Sequence, residues 1–506
     1  MGKIRRGGCI ITRRPPKSPG SSSANRLRGG KRLTLDLTLF TALRRRFAFA
    51  RTVCATTLVV LFPPGAFSQE RPALSTVEMS VKAYRSIQEA LDANRGRMIY
   101  VPAGDYTISE TIRIRGDNSG LFGPGRIIQT NTNAPIIQIE GAAGVQLRDL
   151  TLTRLEGKME ATCEAVVAVK CRDLVLENLR VLDNRTRSAA IAVRECAGSQ
   201  IRGCLVRNYM RISVDDRTAG TDWGYAFKCI DGTGIEVRYS KGTLIQGNRV
   251  IEQNLLPTPE IKEQFGLGRF VKKNAKKGAL MNQKVWDVEY TDNWRQGSAI
   301  IVTAPEVSDC TQILGNYIEN AAQGIDLHSD HVIVSQNIVN NSHIGMKAMH
   351  GSRHVLIIGN QFIKNDLWSI GLMPGAASHA AAPARDGKPA VAANVDGGSI
   401  IANNIISDFG YGHAHWIWGD NGAPLRFCRG QKPDNPPLSD VIIQGNVVYD
   451  TGRDQVIVDG QPKVEPPRYK YAVIVETGGN GPKGLHFSNN ILHPGAKGVS
   501  NVELKP

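Results

Sequence analysis

An all-β solenoid of parallel coils, each of about 22 residues, is the fold class that this 506-residue sequence predicts. Three observations carry that expectation. A phrase of apolar-x-apolar, a small residue, Asn and a second apolar-x-apolar group returns as LVLENLRV at 174, TLIQGNRVI at 243, TQILGNYI at 311, VIVSQNIV at 332, VLIIGNQFI at 355, SIIANNII at 399, DVIIQGNVV at 440 and LHFSNNIL at 485. Its Asn residues, at 178, 248, 316, 337, 360, 404, 446 and 490, end on intervals of 21, 23, 44, 42 and 44, one or two units of the same period. The short Ile- and Val-rich strands have no helix-period segment between them, so strand-helix crossovers are excluded and coil stacking remains. In such a stack inward residues form one apolar column, and each Asn is expected to bond the coils above and below.

The elements follow in chain order. Residues 1–68 hold 14 Lys and Arg against the single acid Asp36. They carry the apolar run Val53 to Phe62 and end on the small-x-small site Ala66-Phe67-Ser68, the pattern of an export leader. RRRFAF at 44 to 49 loosely resembles a twin-arginine signal. The expectation is a periplasmic or secreted protein whose mature chain, residues 69–506, is one solenoid domain. Arg51 interrupts the apolar run, which falls far short of the roughly 20 residues a membrane span needs, so no span is expected. Beyond the leader, 48 Lys and Arg face 45 Asp and Glu, a balance of +3 that gives nucleic acid nothing to bind. A monomer is expected.

SIQEALDANRGRMIYVPAGDYTI at 86 to 108 reads as a short amphipathic helix, a strand and a Gly turn, and a helical cap over residues 80–98 would shield the first coil. Two stretches break the coil rhythm: 253–298, with Lys272 and Lys273 in a basic run, and the Ala-, Gly- and Pro-rich 374–397, expected to be a flexible loop. The basic run is either a solvated loop or a grip on an anionic polymer. Seven cysteines follow the leader, five of them between 163 and 229; they either pair or stack as small apolar residues in the core. No CxxC pair occurs, which argues against a zinc module.

This pattern resembles the right-handed parallel β-helices of the pectate-lyase-like superfamily over residues 98 to 500, including a similar N-terminal cap. The resemblance implies that fold, and a superfamily of lyases, epimerases, hydrolases, transferases, tailspikes and adhesins.

Aligning the coils on Asn316, Asn337 and Asn360 places Asp309, Asp330 and Arg353 in one turn column and Cys310, His331 and His354 in the next. The bland expectation there is a surface Asp330–Arg353 ion pair beside two stacked, solvated imidazoles. In the preceding strand, alternation sends Ile325 and Leu327 inward and Asp326 and His328 outward, and one coil on it sends Lys347 outward. Asp326 and Lys347 should be neighbours on an exposed face, with His328 two residues along and His350 near the strand end. An acid, an imidazole and an ammonium so placed suit removal of the C5 proton of a uronic acid. His328 would be the base, since an imidazole titrates near neutrality. Lys347 or Arg353 would neutralise the sugar carboxylate, Asp326 would orient the imidazole or hold a calcium ion, and His350 would be the second acid or base. No other cofactor or metal is expected.

GIDLH at 324 to 328 is similar to the Gly-(Ile/Phe)-Asp-Pro-His signature of the mannuronan C5-epimerases, which implies active-site roles for Asp326 and His328; Leu327 stands in the Pro position and Gln323 where that family places a Tyr. Lys347 and Arg353 on successive coils resemble the Lys and Arg of β-helix alginate lyases. The expected function is therefore a polysaccharide lyase or C5-epimerase on a uronate polymer. Two alternatives stand beside it. Asp215 and Asp216, with Asp231, resemble the carboxylates of polygalacturonases, and a non-catalytic carbohydrate-binding surface protein would use the same outward residues only for solvation. Trp416 and Trp418 share one face of YGHAHWIWGDNG and offer a sugar-stacking platform, with core packing as the competing fate.

Overall fold

The computed structural model describes residues 79–215, 225–273, 294–412, 422–451 and 456–506. The expected leader and its cleavage site, Asp216, and Trp416 and Trp418 lie outside these residues. Among the described residues no helix is long and apolar enough to cross a membrane.

Three parallel sheets of 12 strands each make the solenoid. The first runs from Met98–Tyr100 to Lys483–Ser488, the second from Asp105–Ile108 to Ile491–Leu492, and the third from Ile112–Ile114 to Gly498–Ser500. Each coil contributes one strand to each sheet. Along the third sheet the register joins Ile137, Val166, Ile191, Ile235, Ile300, Ile325, Met346, Ile370, Leu425 and Val473 into one inward column, and every member is fully buried. Burying each such side chain contributes about 1.5–3 kcal/mol, so the stack of columns is the main source of stability.

The Asn ladder forms as expected from Asn248 onward. Each Asn Nδ2 donates to the next coil's Asn Oδ1 at 2.9 Å, through Asn248, Asn316, Asn337, Asn360, Asn404, Asn446 and Asn490. Asn178 is a correction. It sits one residue earlier in the turn, at φ 55°, in the column that holds Gly203, Gly247, Gly315 and Gly359 on later coils. Only a left-handed backbone fits there, and Asn tolerates it after Gly. In the early coils the ladder position is filled instead by Leu150, Leu179 and Cys204, all buried; the Cys204 N–H donates to Asn248 Oδ1 at 2.9 Å and so starts the amide chain.

At the N-terminal end, the helix Ile87–Ala93 is capped by Ser86, whose hydroxyl accepts from the Glu89 N–H, and buries Ile87, Ala90 and Leu91. Among the described residues no disulfide joins the seven cysteines after the leader, and five are buried. Cys171 and Cys196 stack on adjacent coils, which bears out core packing over pairing.

Both interruptions carry structure. Residues 253–273 contain the helix Pro259–Phe265 and the strand Phe270–Lys273, the edge of an antiparallel ribbon with Tyr225–Asp231 and Arg211–Asp215. The expected flexible loop at 374–397 is instead an antiparallel excursion, with paired backbone bonds between His379 and Asn394, Ala382 and Val391, and Arg385 and Lys388.

Candidate functional site

The site lies on the outer face of the third sheet, on the strands Ser298–Ser308, Gln323–Asp330, Ile344–Ala348 and Trp368–Leu372. Their register aligns Ile301, Asp326, Lys347 and Gly371 in one row and sets Thr303 beside His328. Asp326 and Lys347 are therefore coil-to-coil neighbours, as the alternation predicts. Asp326 Oδ2 lies 3.5 Å from Lys347 Nζ, and Oδ1 lies 3.0 Å from His328 Nε2. The other imidazole nitrogen, Nδ1, is 3.3 Å from Thr303 Oγ1. Ser298 donates its hydroxyl to Asp326 Oδ2 at 3.4 Å. Asp326 thus faces His328 Nε2, while Nδ1 faces the Thr303 hydroxyl.

The face is covered, contrary to the sequence expectation. Asp326 is only 4% exposed. The segment 373–378 folds over the cluster, where the Ala377 N–H donates to His350 Nδ1 at 3.1 Å and a side chain at Gly375 would collide with the His350 ring. Residues 431–432 hold that segment down through Gln431 N–H to Pro374 O and Lys432 Nζ to Ala376 O. Alternation identifies which residues leave a strand, and it is blind to chain that returns over them from elsewhere.

Burial sharpens the electrostatics. It would raise the Asp326 carboxyl by itself, but the charges of His328 and Lys347 outweigh it and hold the group well below the usual carboxylate range. His350 stands edge-on to His328, ring centroids 4.5 Å apart. Burial, then the charges of His328 and Lys347, push it down to about 3. His350 is thus a neutral ring whose Nδ1 is engaged, so it donates through Nε2–H; a base role for it does not fit.

Arg353 is not part of the cluster. Its Nε donates to Asp330 Oδ2 at 2.7 Å, four residues down the strand from Asp326, as the ion-pair expectation held. With an ammonium at one Asp326 oxygen and an imidazole at the other, the orienting role is supported and the calcium role is not, since calcium takes six to eight oxygen ligands. Lys272 and Lys273 lie on the edge strand of the antiparallel ribbon, not on the third sheet. Asp215 and Asp231 face Phe227 and Arg211 in the ribbon register, four positions apart. Four strand residues span about 13 Å, too far for the roughly 6.5–9.5 Å of an inverting carboxylate pair. Asp231 also pairs with Arg187 at 3.5 Å.

A cavity of about 280 Å³ opens beside Lys347, lined among others by Arg295, Gln323, His343, Trp368, Met373 and Gln431. Sequence reasoning missed Trp368 and Arg295. Trp368 lies over Gly371, whose missing side chain leaves room for the indole in the row next to Lys347; a strand Gly opposite an outward Lys was the available signal. Arg295 is buried, donates Nη2 to Asn320 O, and is lowered to about 10 by burial. His343 is lowered to about 3 by burial and then by Arg295. Asp366 is raised to about 7 by burial. The cavity wall thus joins a cation, hydrogen-bonding amides and an aromatic plane, a set suited to a sugar carboxylate and ring.

Residues 135–362 match the family model described as the right handed beta helix region. A search of curated protein sequences gives no match. Among solved structures, the chain is similar to the family 28 exopolygalacturonase of Yersinia enterocolitica, at 11% identity, covering 85% of this chain and 79% of that one with a TM-score of 0.46. It is similar also to the A-module of a mannuronan C-5 epimerase of Azotobacter vinelandii, at 11% identity over 84% of this chain and 98% of that one, TM-score 0.42. An alginate lyase of a Paenibacillus strain is 13% identical over 85% of this chain and 98% of that one, TM-score 0.38. The fold stands on the chain's own three sheets and on the family match.

Proposed function

From the premise that this chain is a right-handed parallel β-helix, we propose that it acts on a uronate-containing polysaccharide as a lyase or C5-epimerase at the Asp326, His328 and Lys347 cluster. The observation that carries this reading is the buried Asp326 carboxylate held between an imidazole and an ammonium beside a sugar-sized cavity. Lys347 draws the substrate carboxylate and stabilises the negative charge that develops on it as the C5–H bond breaks. The Thr303 hydroxyl rotates away, His328 Nδ1 takes the proton, and Asp326 stabilises the resulting imidazolium through Nε2–H. The C5 electron pair, delocalised into the carboxylate, then either takes a proton on the other ring face or expels the C4 oxygen. Neutral His350, edge-on to His328, is a hydrogen-bond donor to that second step. In this reading the leader at 1–68 delivers the enzyme outside the cytoplasm, which N-terminal sequencing of the exported protein tests by cutting before Gln69.

The test is NMR of the protein incubated in D₂O with a panel of uronate polymers. Deuterium at C5, or new unsaturated chain ends, is expected with the native chain and is lost in His328→Ala while oligouronate binding survives. Accumulating reducing ends without either signal refute the reading in favour of hydrolysis; binding without any turnover refutes it in favour of a binding protein.

A further inference from the structure

We propose that Asp330, His331 and His354 form a binding site for a divalent cation of the zinc class, at the turn where the third sheet hands over to the first. The site is independent of the catalytic reading. His331 Nδ1 lies 3.0 Å and His354 Nδ1 2.8 Å from one oxygen, Asp330 Oδ1. The three ligand atoms all fall within 4.8 Å of one another. Two ligands of a tetrahedral zinc ion with bonds of about 2.1 Å stand about 3.4 Å apart, so small side-chain shifts bring both His–Asp330 spacings to that value. The two rings lie over each other with centroids 4.4 Å apart, on adjacent coils.

His331 and His354 have φ of 58° and 52°, the left-handed turn position that Gly242, Cys310, Gly398, Asp440 and Gly484 hold on other coils. One further feature fixes the carboxylate between the rings. Arg353 donates Nε to the far carboxylate oxygen, Oδ2, at 2.7 Å. It thereby fixes the carboxylate and leaves Oδ1 to the two rings, as outer groups orient metal ligands elsewhere. When the ion binds, each ring turns its Nδ1 lone pair to it and carries its proton on Nε2, and water completes the coordination. Two imidazoles and one carboxylate suit zinc, nickel, cobalt or copper and discriminate against calcium and magnesium, which take oxygen.

The experiment is isothermal titration of the untagged full chain with zinc chloride and, separately, calcium chloride, with circular dichroism checking each variant's fold. One zinc per chain is expected, weakened at least about tenfold in His331→Ala and in His354→Ala, with no saturable calcium binding at this turn. An anomalous peak at the zinc edge between Asp330 and the two rings is the structural counterpart. No saturable zinc binding, or an affinity unchanged in the double variant, overturns the proposal; the latter result would assign the ion to the thiols.

Discussion

Truncating Asn337 to alanine should cost the solenoid about 3–9 kcal/mol, and the ladder geometry supplies the reason. The Asn337 side chain donates to Ile313 O and Asn360 Oδ1, both at 2.9 Å, and its Oδ1 accepts from the backbone N–H and the Nδ2 of Asn316, both at 2.9 Å. Alanine leaves the Ile313 carbonyl, the Asn316 backbone N–H and one Asn316 amide proton without those partners. Asn337 is fully buried, so water is not at hand to replace them, and each orphaned group costs about 1–3 kcal/mol. Asn490, the last rung, is the control: it donates to Ile443 O at 2.8 Å and accepts from Asn446, but it is half-buried. Water can take over there, and Asn490→Ala should cost about 1 kcal/mol. Guanidinium unfolding followed by circular dichroism, with midpoints compared at a common slope, reads the difference. Equal costs for the two variants, or less than about 1 kcal/mol for Asn337→Ala, would refute the argument that burial sets the value of the rung.

Gly371→Ala should spare the fold yet displace Trp368, because the added carbon would meet the indole Cε3 at 2.5 Å; calorimetry should show oligouronate affinity falling several-fold. Lys347→Met should abolish turnover while leaving the protein folded, since Asp326 keeps its His328 partner at 3.0 Å; retained C5 exchange would remove Lys347 from the mechanism. The pH profile of stability carries two opposing slopes. Asp366 and Asp396, raised by burial to about 7, favour the protonated native state, so their contribution is complete below their unfolded value of about 3.9 and is lost as pH rises through about 7. His343 and His350, lowered by burial to about 3, contribute stability that is complete above about 6.5 and lost as pH falls towards 3. Asp396→Asn removes one member of the first set, so thermal unfolding midpoints should climb with pH between about 4 and 6.5 more steeply than in the native chain.

How far the sequence reaches depends on whether a feature is set within a coil or across distant chain. Strand alternation and the Asn period placed Asp326 beside Lys347 and the Asp330, Arg353, His331 and His354 columns in the register that the structure shows, because both depend on local geometry repeated every coil. The same period misassigned Asn178, since Asn serves both as ladder rung and as left-handed turn residue and the sequence does not separate the two uses. The cover over the cluster was out of reach. It comes from 373–378 and 431–432, some 50 to 100 residues beyond Asp326, and is fixed by single hydrogen bonds that leave no periodic trace. The same holds for the convergence of both Nδ1 atoms on one oxygen of Asp330.

The rungs from Asn248 to Asn490 also give the molecule an electrical direction. Each rung before Asn490 donates one Nδ2 proton to the Oδ1 of the next Asn and the other to a carbonyl on an earlier coil. Sheet backbones largely cancel their own dipoles, whereas these seven amides align head to tail over six steps of about 4.8 Å. Each polarises the next. The stack should therefore behave as a short conductor of polarisation in which rungs that never touch, such as Asn316 and Asn404, give non-additive energies when both are removed.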